Sequence, residues 1–238
     1  MARLGEAGSA VIHNPAVEIA RAPESVLRER IDGLAAFDAV IVTSPVAARL
    51  IAERAIVPGM RDVGFFAPGK GTASLLHAAG LRCRFPVSGG TSEHILAMRE
   101  LAEVDGARIV IVGAPGGRGL LASALDRRGA DVEVMHVYRR QPLSPTPALI
   151  SALRMRHDLV VLISSRQAFS IITDALGKEL SPGWLDSRFV VSSGRLERVC
   201  RDAGVSRICT AAGAADEQML AAARKAGWAR DQGFGGGF

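Results

Sequence analysis

Aromatic residues are scarce in this sequence, at 5%, although hydrophobic residues make up 48% of it. The core must therefore be built mainly from Val, Ile, Leu and Ala, the residues that fill buried parallel sheets. A chain of 238 residues can form one large or two small domains and buries roughly 70 to 75% of its unfolded surface. We predict an α/β protein with an extensive core.

Long apolar runs are also absent. No run approaches the roughly 20 residues that a membrane span requires, and no signal peptide with a basic start and an apolar centre is visible. These two absences predict a cytoplasmic protein without a membrane partner.

Cysteine is rare and shows no metal-binding pattern. Cys83, Cys200 and Cys209 are odd in number and lack a CxxC spacing, which argues against a disulfide framework and a zinc site. The five histidines are scattered without metal-ligand spacing. We predict that the protein holds no metal and that the cysteines are packing residues.

Positive charge is in excess, with a net charge of +5 and an isoelectric point near 9.7. A nucleic-acid site would require a basic stripe with interleaved aromatic residues. Lys and Arg are instead spread along the chain, and Trp184 and Trp228 stand far apart. A small polyanionic ligand fits this pattern better than a nucleic acid, and the alternative is a basic surface that only keeps the protein soluble.

The clearest local pattern runs from residue 109 to residue 140. It contains a buried strand, a glycine-rich turn, a helix, a second strand and the only tyrosine, in the order 109–112, 113–119, 120–128, 132–137 and Tyr138. Such a turn places free backbone N–H groups and a helix N-terminus at one end of a sheet. The pattern predicts a binding site for an anion.

The sequence contains an internal repeat. Residues 38–44 align with 158–164 at an offset of 120, and residues 66–80 align with 190–204 at an offset of 124. Repeated patterns at a steady offset indicate two homologous α/β units. Residues 4–11 match part of the stretch above, so the N-terminus belongs with the C-terminal half. We predict a discontinuous domain of residues 1–20 plus 142–238 and an inserted domain of residues 21–141.

The same alignment leaves a gap at the N-terminus. The counterpart of strand 109–112 would fall about a dozen residues before Met1, so the chain is expected to begin inside a helix. Either the start codon is misassigned or the first domain lacks a strand. The tail of a helix is expected at residues 1–7, then a short strand at residues 10–13 and a linker to Pro23. Further along the chain, a helix capped by Ser92 is expected to run to about Glu103.

Strands that alternate with helices predict a parallel, doubly wound sheet in each domain, with ligands at the carboxyl ends of the strands. Six strand-end loops rich in Ser, Thr and Gly would face a cleft between the domains: 43–44, 68–71, 113–118, 164–165, 192–195 and 210–213. Their hydroxyl and N–H groups could hold carboxylates or phosphates. Alternatively, Ser44 and Ser164 only cap their helices.

Other chemistries are disfavoured. Gly117, Gly119 and Ala122 match the GxGxxA fingerprint of dinucleotide sites, but four residues separate strand-end Gly113 from Gly117, whereas the first glycine should follow the strand directly. No nucleophile elbow, Walker loop, Cys–His pair or carboxylate pair is present. Tyr138 remains for proton transfer, as a general acid rather than a base, although a lone strand-end tyrosine is more often structural.

Five motifs together resemble the uroporphyrinogen-III synthase family, in the right order and over almost the whole chain. They are a hydrophobic strand with Thr-Ser at 40–44, Gly-x-x-Gly-Gly-Arg at 113–118, Leu-Asp-Arg-Arg-Gly at 125–129, Val-Tyr-Arg-Arg at 137–140 and Ile-Ser-Ser at 163–165. The resemblance implies two flavodoxin- or Rossmann-like α/β domains with parallel sheets, the first discontinuous, joined by a two-stranded linker.

The resemblance also implies a reaction. Hydroxymethylbilane, a linear tetrapyrrole with eight carboxylates, would lose its hydroxyl as water and close to uroporphyrinogen III with inversion of ring D. The enzyme would be a cofactor-free lyase of tetrapyrrole biosynthesis, a monomer in transient contact with the preceding deaminase. The alternative from another class is a non-catalytic two-domain sensor that closes around an anionic metabolite.

Carried over by position, the resemblance implies that Tyr138 assists departure of the hydroxyl. The residues expected to bind substrate are Thr43, Ser44, Gly113, Gly116, Gly117, Arg118, Ser164, Ser165, Ser193 and Arg195. Two features of the family are missing here: a first strand followed by Thr-Arg-Pro, and a threonine after a later Gly-Pro turn, where residues 193–196 read Ser-Gly-Arg-Leu.

Overall fold

The computed structural model describes residues 10–54, 56–116, 119–155 and 158–228. These residues form two compact units: one spans Ile19–Gln141, and the other combines the described residues up to Glu18 with those from Pro142 onward. Each unit is α/β with its own parallel sheet. The predicted fold class is confirmed.

The strands, in chain order, are β1 (Val17–Arg21), β2 (Ala39–Val42), β3 (Gly64–Phe66), β4 (Cys83–Arg84), β5 (Arg108–Gly113), β6 (Asp131–His136), β7 (Tyr138–Pro142), β8 (Val160–Ile163), β9 (Arg188–Val191) and β10 (Ile208–Thr210). The α-helices are α1 (Glu24–Asp32), α2 (Pro45–Ala52), α3 (Lys70–Ala78), α4 (Ser92–Leu96), α5 (Gly119–Asp126), α6 (Pro147–Arg154), α7 (Arg166–Leu185), α8 (Gly194–Asp202) and α9 (Asp216–Ala223). Short 3-10 turns lie at Gly33–Ala36 and Arg99–Leu101, and a short π-helix lies at Arg224–Trp228.

The inserted unit contains a five-stranded parallel sheet in the order β4-β3-β2-β5-β6. From β2 the chain moves outward through β3 to β4, and it then returns to place β5 against the other side of β2. All four residues of β2 are buried, as are the last five of β5, because helices cover both faces. The order reverses between β2 and β5, and ligands of such sheets bind where it reverses.

The other unit contains a three-stranded parallel sheet in the order β10-β9-β8. Its core includes three aromatic rings, and those of Trp184 and Phe189 meet edge to face with centroids 5.0 Å apart. The indole Nε1 of Trp184 donates to Thr173 Oγ1 at 2.9 Å, which satisfies the polar atom of this large buried side chain.

Helix α7 spans 20 residues but is interrupted at Gly177, whose φ of 65° lies in the left-handed region. Glycine adopts this conformation without the steric cost that a Cβ would add. Neither α7 nor any other helix within the described residues is long and apolar enough to cross a membrane.

The internal repeat has direct structural counterparts. Strands β2 and β3 pair in parallel in one unit, as β8 and β9 do in the other. Helices α3 and α8 begin at Lys70 and Gly194, which have the 124-residue offset found in the sequence. Gly80 and Gly204 follow these helices with φ values of 82° and 100°. The same glycine-dependent helix ending therefore occurs in both units.

Two predicted elements are wrong. Residues 10–13 form no strand; the strand lies at β1, inside the expected linker, because β7 supplies a hydrogen-bonding partner there. The predicted helix at 92–103 is split, because Met98 takes an extended conformation with ψ of 136° between α4 and the second 3-10 turn. Thr91 rather than Ser92 occupies the N-cap position. The predicted N-terminal helix at residues 1–7 lies outside the described residues.

The cysteines are free thiols, and Cys83 and Cys200 are buried while Cys209 is half-buried. Burial raises the pKa of Cys83 to about 12 and that of Cys200 to about 11, because an apolar environment disfavours the thiolate. Both thiols therefore stay protonated near neutral pH and lack the thiolate that nucleophilic chemistry needs.

Candidate functional site

A pocket of about 490 Å³ lies at the carboxyl edge of the five-stranded sheet. It is lined by Thr43, Ile111, Gly113, Ala114, Gly116, Gly119, Ala122, Val134 and His136. These residues come from the ends of β2, β5 and β6 and the start of α5, beside the reversal of strand order. Open α/β sheets bind their ligands at this position.

A second pocket, of about 610 Å³, lies in the other unit. Its lining includes Asp158, Asp186 and Arg207, which precede β8, β9 and β10 and so mark the amino ends of the strands. The predicted Ser- and Gly-rich loops follow strands rather than precede them. We therefore take the smaller pocket as the candidate site.

Thr43 and Gly113 are in close contact where β2 and β5 end. Thr43 is 7% exposed, and its Oγ1 donates to the carbonyl oxygen of Val112 at 3.0 Å. A Cβ on Gly113 would overlap Thr43 Oγ1. The absence of a side chain at Gly113 therefore lets Thr43 keep its hydrogen bond at the edge of the pocket.

The glycine-rich turn after β5 is described only in part. Gly116 has a φ of 90°, in the left-handed region that favours glycine, and it lines the pocket. Gly117 and Arg118 lie outside the described residues, so their role in binding an anion stays a prediction. Helix α5 begins at Gly119, so its N-terminal end also lines the pocket.

Tyr138 and Ser44 are joined by a hydrogen bond. The tyrosine hydroxyl donates to Ser44 Oγ at 3.0 Å, and the tyrosine side chain is buried, with 3% exposed. Ser44 Oγ also accepts from the N–H of Ala47 at 3.2 Å and thereby caps α2. Ser44 therefore both caps its helix and holds the only tyrosine of the chain.

Sequence reasoning missed two residues that lie two positions before and after Tyr138 in the chain. His136 lines the pocket, and its carbonyl oxygen accepts from Arg30 Nη1. Arg140 places its guanidinium carbon 5.9 Å from the centroid of the Tyr138 ring. The alternation of side chains along a strand would have put Arg140 on the same face as Tyr138.

The predicted serines of the other unit also lie at strand ends. Ser165 and Ser193 cap α7 and α8, each accepting from the backbone N–H three residues on, at 3.3 and 3.4 Å. The alternative that Ser164 caps a helix is wrong by one residue, because α7 begins at Arg166. Ser164 is exposed, and its carbonyl oxygen accepts from Ser192 Oγ at 3.3 Å.

An acidic group lies near these serines. Thr210 Oγ1 donates to Glu197 Oε2 at 2.6 Å, and Arg201 Nη2 donates to Glu197 Oε1 at 2.8 Å. The hydrogen bonds from Thr210 and then Arg201 hold the pKa of the Glu197 carboxyl below its usual value. Within the described residues Arg195 is exposed and forms no ion pair, so it is available to an anionic ligand.

The structure thus collects the predicted residues into two sets. Thr43, Ser44, Gly113 and Tyr138 share the carboxyl edge of the inserted unit, and Ser164, Ser165, Ser193 and Arg195 follow adjacent strands of the other. Among the described residues no three His, Cys, Asp or Glu side chains lie close enough together to hold a metal ion. Hydroxyl groups, backbone N–H groups and arginines therefore supply the chemistry that the described edges offer.

Comparison with known proteins gives concordant sequence matches. The family model of uroporphyrinogen-III synthase HemD matches residues 1–221. Uroporphyrinogen-III synthase of Escherichia coli K12 is 30% identical over 162 residues, which cover 66% of this chain and 65% of that protein, slightly less than two thirds. The enzyme of Proteus mirabilis is 30% identical over 143 residues, covering 58% of this chain and 72% of that protein.

Solved structures show a similar fold. A mutant uroporphyrinogen III synthase from the extremely thermophilic bacterium Thermus thermophilus matches with a TM-score of 0.60 and 21% identity, covering 94% of this chain and 92% of that one. Uroporphyrinogen-III synthetase from Helicobacter pylori 26695 matches with a TM-score of 0.60 and 15% identity, covering 88% and 90%. At these identities the likeness concerns the fold.

Proposed function

Because the chain belongs to the uroporphyrinogen-III synthase family, we propose that it cyclises hydroxymethylbilane to uroporphyrinogen III. The hydroxyl of the linear tetrapyrrole leaves as water, and the chain of four pyrroles closes with ring D inverted, which makes the reaction that of a lyase. The protein contributes the binding surface and proton transfer, and the reaction takes no cofactor. In this proposal the enzyme is a cytoplasmic monomer that receives hydroxymethylbilane from the preceding deaminase.

The hydrogen bond between Tyr138 and Ser44 carries the proposal at the level of mechanism. A hydroxyl group is a poor leaving group unless it receives a proton as the carbon–oxygen bond breaks. Tyr138 can supply that proton as a general acid, and its hydrogen bond to Ser44 fixes the position of its hydroxyl. Both residues belong to the unit whose carboxyl edge forms the candidate pocket, although neither is among the residues that line it.

Ser44 allows Tyr138 to exchange its partner. In the structure the tyrosine hydroxyl donates to Ser44 Oγ. Both groups are hydroxyls that can donate as well as accept, so Ser44 can instead donate to the tyrosine oxygen. That reversal would free the tyrosine proton for the substrate hydroxyl while the two oxygens stay at their 3.0 Å separation.

The charge of the chain supports an anionic substrate. The net charge of +5 favours encounter with a bilane that carries eight carboxylates. Exposed hydroxyls at Ser164, Ser165 and Ser193 and the exposed guanidinium of Arg195 can each donate hydrogen bonds to such groups. Binding several carboxylates at once would curl the linear substrate and bring its two ends together.

The test is the isomer composition of the product. Hydroxymethylbilane is generated enzymatically with and without this protein, and the porphyrins are separated by chromatography after oxidation. Spontaneous closure yields the symmetric I isomer, so a dominant III isomer is expected if the proposal is correct. If only the I isomer forms, the synthase proposal is wrong, and stoichiometric binding of the bilane without ring closure would then favour the sensor alternative.

A further inference from the structure

Arg140 lies beside Tyr138 but takes no part in the proposed proton transfer. It lies on β7 two residues after Tyr138, so both side chains project from the same face of the strand. Its guanidinium carbon lies 5.9 Å from the centroid of the tyrosine ring, within the range of a cation–π contact. The side chain is exposed.

Arg139 provides a contrast on the opposite face of the same strand. With the Gln141 amide turned so that its oxygen faces Arg139, that oxygen accepts from Nη2 at 2.8 Å and from Nε at 2.9 Å. The donors of Arg139 are thus partly used by its own strand. Within the described residues no carboxylate forms an ion pair with Arg140, so its donors remain available.

We propose that Arg140 binds a side-chain carboxylate of the bilane, on the pyrrole ring that carries the departing hydroxyl. This inference rests on the proposed function. Tyr138 must contact that hydroxyl to protonate it, so a cation beside the tyrosine ring is placed to meet the carboxylates of the same pyrrole. A guanidinium binds a carboxylate through two parallel N–H donors, which fixes orientation as well as distance.

The cation–π contact of Arg140 with the tyrosine ring makes carboxylate binding at this position more selective. A planar guanidinium that is already oriented loses less conformational freedom when it binds a carboxylate than a flexible ammonium does. Arg140 therefore fixes the position of the reacting pyrrole ring relative to the Tyr138 hydroxyl. It is a binding residue for the substrate, whereas the proton transfer belongs to Tyr138.

The experiment compares the kinetics of Arg140→Gln, Arg140→Lys and the matched control Arg139→Gln, with III-isomer formation as the readout. Hydrogen bonds to charged groups are strong but weakened at exposed sites, so we expect Arg140→Gln to raise KM about tenfold and change kcat less than about threefold. Arg140→Lys should fall between wild type and Arg140→Gln, and Arg139→Gln should stay within about twofold of wild type.

Two further measurements separate substrate binding from a structural effect. KM of the wild type should rise more steeply with salt than KM of Arg140→Gln, because the variant has lost one screened ion pair. A bilane lacking one carboxylate on the hydroxymethyl-bearing ring should bind about tenfold more weakly to the wild type, with no comparable further loss in Arg140→Gln. Thermal unfolding checks that all variants fold.

The outcomes distinguish this inference from the proposed function. If the wild type forms no III isomer, the synthase proposal fails and this inference fails with it. If the wild type forms the III isomer but Arg140→Gln and Arg139→Gln have the same KM, or the two salt dependences coincide, Arg140 does not bind the substrate and the synthase proposal stands.

Discussion

At the scale of single residues, the pair of Tyr138 and Ser44 links a strand end to a helix start. The serine oxygen accepts from the tyrosine hydroxyl at 3.0 Å and from the N–H of Ala47 at 3.2 Å. A change at either member therefore removes a defined set of hydrogen bonds. The two members should nevertheless differ in effect, because only the serine also caps a helix.

Replacement of Tyr138 by Phe tests the proposed general acid. The ring and its burial remain, and only the hydroxyl is lost. We expect kcat for III-isomer formation to fall by several-fold to about a hundredfold, at or below the lower end of what general acid catalysis usually contributes, because binding of the curled substrate supplies much of the rate. The free energy of unfolding should change by about 1 kcal/mol, the usual effect of one hydrogen bond. Wild-type turnover by the Phe variant would contradict the acid role.

Replacement of Ser44 by Ala tests the dual role of the serine. Loss of the cap costs about 1 kcal/mol, and the buried tyrosine hydroxyl left without its acceptor costs about 1 kcal/mol more. Urea unfolding should therefore show Ser44→Ala to be destabilised by about 2 kcal/mol.

The matched control is Ser193→Ala, which removes a helix cap and, among the described residues, no hydrogen bond to a second side chain. The free energy of unfolding of Ser193→Ala should be about 1 kcal/mol lower than that of the wild type. Equal destabilisation of the two variants would show that the hydrogen bond to Tyr138 adds no stability.

At the scale of secondary-structure elements, the parallel ends of β2 and β5 bring Thr43 next to Gly113. A Cβ at position 113 would overlap Thr43 Oγ1, which is hydrogen-bonded to Val112. We expect Gly113→Ala to lower the free energy of unfolding by about 1 to 3 kcal/mol, as other insertions into packed sites do. Because both residues line the pocket, III-isomer formation should decrease as well.

A second substitution tests the cause. Thr43→Ala removes the overlapping atom, so the double variant with Gly113→Ala should be about as stable as Thr43→Ala alone. Chemical denaturation of the four proteins gives the coupling energy between the two sites. If the stability losses of the two single variants simply add in the double variant, the methyl group added at position 113 destabilises the protein by a route other than overlap with Thr43 Oγ1.

At the scale of the whole molecule, each unit has its own apolar core. The two buried clusters around β2 and β5 consist only of residues between positions 22 and 138. The clusters of the other unit combine Ala16 with residues from Leu149 onward. Within the described residues, each cluster thus draws on one unit alone.

This division predicts how fragments behave. Residues 19–141, expressed alone, should fold and show one cooperative urea transition by circular dichroism, because their core is complete. Residues 142–238 alone should be less stable than the same residues in the whole protein. The fragment loses the packing of Ala16 and the hydrogen bond from the N–H of Thr146 to Asn14 Oδ1 at 2.7 Å. A non-cooperative transition of the first fragment would contradict the prediction that it is an independent domain.

The sequence by itself determined the local features of this protein. Alternation of apolar strands with helices predicted two parallel sheets, because hydrophobic periodicity follows from secondary structure. The glycines that follow helices are equally local signals. Gly129, for example, has a φ of 87° at the end of the turn that follows α5. The sequence also singled out Tyr138 and Ser44, each at a predicted strand end.

The tertiary structure alone decided which strand ends meet. Tyr138 and Ser44 are 94 positions apart, and no local pattern encodes their hydrogen bond. It forms because β5 returns to the side of β2, which brings the ends of β2 and β6 to one edge. The same dependence on partners explains the misplaced first strand: β1 forms where β7 offers backbone hydrogen bonds, whereas residues 10–12 are apolar but form no strand. Periodicity is a property of a segment, but pairing is a property of two segments distant in sequence.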